Sequence, residues 1–534
     1  MSTLRERIYQ FCHIGMKTIG VIFFTLFFLS NFFMTAYSLD MTTQKVLFAP
    51  KSLLLNILLL VLITCAVFLF LKLTKRIPKH FKGIMLLFTG VIYVLCGLLL
   101  LVFSRTVPAA DALSVYNCAK QIAAGDLSPI QPTGSYLSYY PQQIGLVAFF
   151  ELCFRVFHLL PVNVEYYHLL KLIYIVMTFG IVYYLHRLTV LLLGSSSSEE
   201  VGCFFLLLCC LNVPLIFYGS FLYSEIPSFL ALTFGLYHLT ILLGSPSEFL
   251  PHSIYSVLGM TLSVLLRKNS LIFIIAVIIT ILCTSLKVSR DDKKHAIRLL
   301  ALCALTLFFS LTILPCAIKI YELRAGSHLK SGVPAMSYFA MGMQESSRAA
   351  GWYNGFNFNT YDSTGMDTEQ TVALSRQAIH DRLNYFSENP AQALRFCSEK
   401  FLSQWADGTY ACRQATLATY GGRNHFFNEL YEGKYSKFFI AYCNAYQLMI
   451  AFGCILYLIA YFKKKDRCDH FHTDLLILCA FGGFLFHMIW EANSRYIFLY
   501  GLCLLPYCAS GFVSLFSMLP WARRIAKADM SGNK

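Results

Sequence analysis

A series of long apolar runs constrains this chain more than any other feature. Runs of about 17–22 residues recur along the sequence, and this is the length that crosses a hydrocarbon core of roughly 30 Å. Charged residues make up 13% of the 534 residues, whereas soluble domains carry about a quarter. The pattern therefore predicts an all-α polytopic membrane protein embedded in a lipid bilayer.

Basic residues set the predicted orientation. Arg5, Arg7 and Lys17 precede the first run, and the cluster KLTKRIPKHFKG follows the second. Because cytoplasmic loops are rich in Lys and Arg, the formal net charge of +15 is a topology signal, and we expect no nucleic-acid partner. The sequence predicts about twelve transmembrane helices in the plasma membrane, with both termini cytoplasmic. They lie at about 18–37, 53–72, 84–104, 167–186, 201–219, 227–244, 252–266, 270–287, 297–317 and 437–462, with two more flanking WEANSRYIF.

One apolar run is predicted not to cross the membrane. The segment at about 144–160 carries Glu151, Arg155 and His158, and these side chains are costly in lipid. Its apolar residues fall on one face of a helix, which is typical of an interfacial helix. If this segment crossed, three downstream basic clusters would lie outside the cell, against the usual charge distribution. We therefore expect a surface or re-entrant helix on the exoplasmic side.

The predicted topology divides the chain into four parts. The first holds two spans and a basic cytoplasmic loop, and the second is a transmembrane core that begins with a long exoplasmic loop. The third is an exoplasmic soluble insertion, and the fourth holds the last spans and a cytoplasmic tail. The boundaries are 1–83, 84–317 with its loop at 105–166, 318–436, and 437–534.

The insertion contains turn signals and a helical pattern. The run from TVALSRQ to FLSQW is helical in character, with Pro390 as a break or as the first residue of a second helix. Cys397 and Cys412 both lie in this insertion. The sequence leaves two alternatives, a disulfide between them or two free thiols.

Charged residues in four predicted exoplasmic loops meet on one side of the membrane. Asp111 follows the third span, at the predicted mouth of a cavity between helices. A single charge at the end of a span is usually a solvated residue, and that alternative stays open for each position. The candidates in the three later loops are Glu225, then Arg267 and Lys268, then Glu491, Arg495 and Tyr496.

This combination of residue types indicates a reaction class. Arg267 and Arg495 depart from the positive-inside trend, and an arginine near the headgroups suits a phosphate through paired charge-assisted hydrogen bonds. The Asp111 carboxylate is placed to take a proton from an acceptor as general base, while the arginines neutralise a leaving phosphate. We therefore predict group transfer from a lipid-linked phosphate.

Several short motifs, taken in order, carry a family resemblance. They are DALSVYNCAKQIAAGD, SYYPQQIGLVAFFELCFRVF and, near the end, NSRYIFLYGLCLLP. In this order and topology the chain resembles the GT-C superfamily of integral membrane glycosyltransferases. That group includes protein O-mannosyltransferases, lipid A aminoarabinose transferases and bacterial family 39-like enzymes. The resemblance covers about 84–310 and, more weakly, 437–517.

The resemblance implies a specific enzyme. Its donor is a sugar, hexosyl or pentosyl, on undecaprenyl or dolichyl phosphate, transferred on the exoplasmic face with inversion. Asp111 matches the family's catalytic base, and Tyr140 lies in the motif that opens the surface helix, as a substrate-binding residue. The chain has Asp111-Ala112 where many relatives have Asp-Glu, Tyr140-Pro141-Gln142 where YPP is usual, and two additional N-terminal spans.

Other interpretations remain. We expect no cofactor, because no tight cluster of oxygen ligands is visible, and a divalent metal on Asp111 and Glu225 is the alternative. A transporter or flippase of lipid-linked saccharides would place charges or broken helices near the midplane, where the sequence carries little charge. An envelope assembly protein would use the insertion to bind a partner. The acceptor stays open among cell-envelope glycan, lipid and protein.

Overall fold

Helices account for nearly all the ordered structure of this chain. The computed structural model describes residues 4–76, 79–161, 164–194, 198–244, 248–288, 292–463 and 471–519. The first part holds α1 (Leu4–Phe33), β1 (Met34–Tyr37), β2 (Leu47–Pro50), α2 (Leu53–Arg76), α3 (Lys79–Leu99), α4 (Ala110–Ala123), α5 (Tyr136–Tyr139) and α6 (Ile144–His158). The middle part holds α7 (Tyr166–Leu193), α8 (Ser198–Leu211), α9 (Val213–Tyr218), α10 (Glu225–Gly244), α11 (Phe249–Leu266), α12 (Leu271–Val288) and α13 (Lys293–Ala325).

The last part begins with the predicted insertion. It holds α14 (Ala335–Gly342), α15 (Phe356–Ser363), α16 (Thr368–Glu388), α17 (Pro390–Trp405), α18 (Cys412–Ala415), α19 (His425–Tyr431), α20 (Ser436–Lys463), α21 (Leu475–Ile489), α22 (Ser494–Leu502) and α23 (Leu505–Met518). Pro390 is the first residue of α17, where its fixed φ and missing N–H are tolerated. Cys397 and Cys412 are free thiols, Cys397 exposed and Cys412 buried, so the structure contains no disulfide between them.

The described helices establish a polytopic membrane protein. Ten of them are long and apolar enough to cross a bilayer, and the α22–α23 pair, bent by 48°, raises this to eleven if it is one span. The predicted span at about 201–219 is broken into α8 and α9, with the Asn212 side chain accepting from the N–H of Leu215 at 3.1 Å. Neither half reaches the length of a span, and the total of about twelve stays a prediction.

Loops gather at one end of the helix bundle, which we call the loop-rich end. Its parts are the β1–β2 hairpin, loop 105–165, residues 219–224, segment 326–435 and residues 490–493. Backbone hydrogen bonds join them: Ala36 donates to Ala406, and Val333 donates to Tyr139, both at 2.9 Å. The predicted exoplasmic loops therefore share one end, and the orientation of that end rests on the basic residues.

The opposite end holds the contacts of the predicted cytoplasmic side. Lys17 of α1 forms an ion pair of 2.5 Å with Asp474, which precedes α21. Much of the predicted basic sequence lies outside the described residues, namely positions 77–78, 289–291, 464–470 and the tail 520–534.

Helix α6 is the run predicted not to cross, and it is absent from the span candidates. It packs against α4 and α13 at the loop-rich end. Helix α13 has 33 residues, or about 50 Å at 1.5 Å per residue. This exceeds a hydrocarbon core of about 30 Å. The helix therefore continues past the boundary predicted at 317, and its last turn reaches α6.

Candidate functional site

A buried ion-pair cluster lies at the loop-rich end, where three spans begin or end. Glu225 is the first residue of α10, Arg267 follows the last residue of α11, and Arg495 lies in the first turn of α22. The Arg267 Nη1 is 2.8 Å from the Glu225 carboxylate, and the Arg495 Nε is 3.9 Å from the same oxygen. Glu225 is 1% exposed. The structure therefore brings together residues from three of the four predicted loops.

Arg495 is the less satisfied of the two arginines. Its guanidinium faces the rings of Phe221, Tyr223 and Tyr496, with centroids 5.5, 5.7 and 5.1 Å away. Cation–π contacts of this kind favour a buried guanidinium without occupying its N–H donors. The buried Nε has no hydrogen-bond partner within the described residues. One N–H donor of Arg495 is therefore unsatisfied in the part of the chain that the structure describes.

The local backbone explains how Arg495 is held. The Asn493 side chain caps α22 by accepting the N–H of Arg495 at 2.9 Å, as helix N-caps do. His487 Nδ1 lies 3.1 Å from the Glu491 carbonyl oxygen. A parallel bridge pairs Trp352 with Ala492. These contacts tie the loop between α21 and α22 to the insertion.

Glu491 is a second buried carboxyl group in this site. It is 7% exposed, and Tyr496 Oη donates to its Oε1 at 2.9 Å. Burial raises the pKa of Glu491 to about 7, and the nearby Asp111 carboxylate adds to the rise, while Tyr496 and Arg495 oppose it. A carboxyl group that titrates near neutrality is able to accept or donate a proton.

Asp111 lies at the exposed side of the same site. It occupies the first turn of α4, directly after Ala110, whose φ of 48° is unusual for a residue with a side chain. Burial raises the pKa of Tyr140, and the carboxylates of Asp111 and Glu491 add to that rise. Asp111, Tyr140 and Glu491 therefore lie close enough to interact electrostatically.

Aromatic residues that we did not predict lie near Asp111 and Glu491. The rings of Tyr136 and Tyr140 lie 5.0 Å apart and are tilted by 46°, whereas Tyr338 stacks on Trp490 at 5.4 Å and 8°. Burial raises the pKa of Tyr353, and Glu491 and Asp111 add to that rise. The tyrosine-rich sequence SYLSYYP contains Tyr136 and Tyr140 and could have indicated them. No sequence pattern links it to Tyr338 and Tyr353 of the insertion.

Lys400 of the insertion is a further residue that sequence reasoning missed. It is buried, and its ammonium donates to the carbonyl oxygens of Gly342 and, at 2.8 Å, of Trp490. Burial lowers the pKa of Lys400 to about 7. This side chain fixes the insertion over the α21–α22 loop.

Lys268 does not join the cluster. It begins a 3-10 turn, Lys268–Ser270, and its side chain is exposed, whereas its neighbour Arg267 points to Glu225. No carboxylate among the described residues lies within 4 Å of its ammonium. The prediction placed both residues at the site because they are adjacent, but consecutive side chains in a turn point in different directions.

The charges around Glu225 also bear on the predicted metal alternative. Two guanidiniums already face this carboxylate, and they disfavour a further cation there. Within the described ranges, no three His, Cys, Asp or Glu side chains are grouped as metal ligands.

Chemically, the site combines one solvent-facing carboxylate, one carboxyl group near neutrality and an arginine with free donors. A search of known family models and of curated proteins matched nothing to this chain.

Proposed function

We propose that this chain is a GT-C-type glycosyltransferase that moves a sugar from a polyprenyl-phosphate donor to an acceptor at the loop-rich end. The observation that carries the proposal is the buried Glu225–Arg267–Arg495 cluster beside Asp111 and Glu491. The order of the sequence motifs supports the same class.

The charge of the cluster supports an anionic donor. Glu225 and Arg267 pair at 2.8 Å, so Arg495, at 3.9 Å from the same oxygen, shares its counter-ion with a closer arginine. A buried charge without a partner is unfavourable. A phosphate ester bound there completes the ion pairing, and arginine suits this role because its donors match phosphate oxygens. The polyprenyl chain then extends between the spans.

The reaction assigns one role to each group. Asp111 takes the proton of the acceptor hydroxyl as its oxygen attacks the anomeric carbon. The bond from that carbon to the phosphate oxygen breaks, and the lipid phosphate leaves with both electrons. Arg495 stabilises the charge on the phosphate. Glu491 takes up or releases a proton near neutral pH. The acceptor binds beside the tyrosines near Asp111 and Glu491.

A transfer assay tests this function. Purified protein receives radiolabelled undecaprenyl-phosphate sugars with crude envelope as acceptor. We expect Asp111→Asn to lower transfer by about 10²–10⁴-fold, the range for a lost general base. The matched control is Asp126→Asn, in the same loop and exposed, which we expect to keep transfer near the wild-type rate. Equal rates for wild type and Asp111→Asn contradict the assigned base.

A transporter of lipid-linked saccharides is the second candidate, favoured by one observation. The α8–α9 break at Asn212 and the α22–α23 bend of 48° resemble the discontinuous helices of transporters. Proteoliposomes with labelled donor separate the two functions. A transferase consumes the donor when acceptor is present, whereas a transporter moves it across the bilayer unchanged.

A further inference from the structure

An apolar crevice lies between α1, α2 and α20, away from the residues of the candidate site. Its volume is about 420 Å³, and its walls include Phe28 and Phe32 of α1, Ile57 and Val61 of α2, and Phe452 of α20. Ile57 and Val61 are about half exposed on a helix that is a candidate span. The crevice therefore opens toward lipid.

The depth of the crevice matches one leaflet. It follows α2 from Ile57 to Phe68, which is about 16 Å along the helix axis. This is roughly half of a hydrocarbon core of about 30 Å. A single acyl chain that enters from the membrane surface spans this distance.

A lysine lies at the mouth of the crevice, at the loop-rich end. The Lys51 ammonium donates to the carbonyl oxygen of Asn31 at 2.8 Å, and the Asn56 side chain donates to that of Phe32 at 2.5 Å. No carboxylate among the described residues forms an ion pair with Lys51. Burial lowers its pKa to about 8. The position thus carries a partly buried cation without a counter-ion.

We propose that the crevice binds an anionic phospholipid, with one acyl chain between α1 and α2 and the phosphate at Lys51. The apolar walls fit the chain, and the headgroup supplies the anion that Lys51 lacks. This site is independent of glycosyl transfer, because it shares no residue with the candidate site.

The headgroup part is tested by native mass spectrometry of the full chain in detergent. Equal amounts of phosphatidylglycerol and phosphatidylcholine with identical acyl chains are added. We expect wild type to retain phosphatidylglycerol preferentially and Lys51→Gln to lower that preference by about five-fold, since a surface lysine contributes about 1 kcal/mol toward anionic lipid. Lys45→Gln removes the same charge from the exposed part of the hairpin loop and leaves the preference unchanged. Equal retention of both lipids by wild type overturns the proposal.

The crevice part is tested by filling it. Val61→Trp occupies the space between the walls, whereas Leu62→Trp places the same ring on the neighbouring exposed position outside the crevice. The melting midpoint of each variant is measured as well, and the two are compared only where these midpoints are equal. We expect Val61→Trp to abolish lipid retention and Leu62→Trp to preserve it. Unchanged retention in Val61→Trp overturns the site. Retention of undecaprenyl phosphate in place of phospholipid, dependent on Lys51 and Val61, overturns the assigned ligand.

Discussion

Two clusters at the loop-rich end use the same residue types and reach different electrostatic states. In the first, Glu151 of α6 accepts from Arg155 at 2.9 Å, from Arg324 at 2.7 and 3.1 Å, and from Tyr321. In the second, Glu225 has one close arginine, and Arg495 stays 3.9 Å away. In the first cluster both carboxylate oxygens accept hydrogen bonds, and in the second the Nε donor of Arg495 has no partner among the described residues.

Glu491, which lies beside the second cluster, differs from Glu151 in the direction of its pKa shift. Burial alone raises the pKa of Glu151, but hydrogen bonds from Arg324, Tyr321 and Arg155 outweigh it and hold the value at about 2. Burial raises the pKa of Glu491 to about 7, because one tyrosine is its close partner. Under the proposed function, the saturated cluster joins helices, whereas the unsaturated one binds the lipid phosphate.

The largest expected effect concerns Arg267, the structural member of the second cluster. Arg267→Gln leaves the Glu225 carboxylate buried without a close cation, and breaking a buried pair costs about 3–5 kcal/mol. We expect a clear fall in the midpoint of thermal unfolding in detergent. Wild-type stability in this variant contradicts the assignment of the 2.8 Å pair as a structural contact.

Replacement of Arg495 separates binding from stability. Arg495→Gln leaves Glu225 paired with Arg267, so we expect a melting midpoint near that of wild type. Transfer should fall by about 10²–10³-fold, as for other removed transition-state donors. The matched variant is Arg324→Gln, where Glu151 keeps Arg155 and Tyr321, and we expect it to keep transfer. Equal loss in both variants removes the distinction between the clusters.

The pH dependence of stability should differ in sign between the two glutamates. The raised pKa of Glu491 means that the folded state binds its proton more tightly. Its contribution is present below about pH 4.5 and is lost as pH rises to 7, by roughly 3 kcal/mol. Glu491→Gln should flatten the dependence of the melting midpoint on pH over this range. Glu151→Gln should not, because the Glu151 contribution is lost as pH falls from 4.5 toward 2. Parallel profiles for Glu491→Gln and wild type contradict the titration.

The smallest expected effect is at Lys268. Because its side chain is exposed and apart from the cluster, Lys268→Gln should change stability by about 0.5 kcal/mol or less and leave transfer near wild type. A loss of transfer as large as that of Arg495→Gln indicates that this lysine reaches the donor.

The sequence predicted the parts of the fold that depend on hydropathy and on the alternation of successive spans across the membrane. Apolar run lengths located the spans, and alternation placed Asp111, Glu225, Arg267 and Arg495 at one end, where the structure has them. The α8–α9 break was missed, since Asn212 and Pro214 interrupt the helix within a run that is apolar on both sides.

The pairing within the site could not be predicted. Arg267 and Lys268 are adjacent and carry the same charge, and only the folded structure shows that Arg267 is the one that meets Glu225. Tyr338 and Tyr353, which lie near Glu491, belong to the insertion. The docking of the insertion depends on backbone hydrogen bonds such as that from Val333 to Tyr139. Such long-range packing leaves no periodic pattern in the sequence.

Under the proposed function, Arg495 binds a lipid phosphate because its cluster is unsaturated. The direct measurement is equilibrium binding of undecaprenyl phosphate to wild type, Arg495→Gln and Arg324→Gln in the same detergent. We predict that Arg495→Gln weakens binding by about ten-fold or more, the value of a lost charge-assisted hydrogen bond, and that Arg324→Gln binds as wild type. Wild-type affinity in Arg495→Gln, or equal weakening in both variants, would contradict the claim.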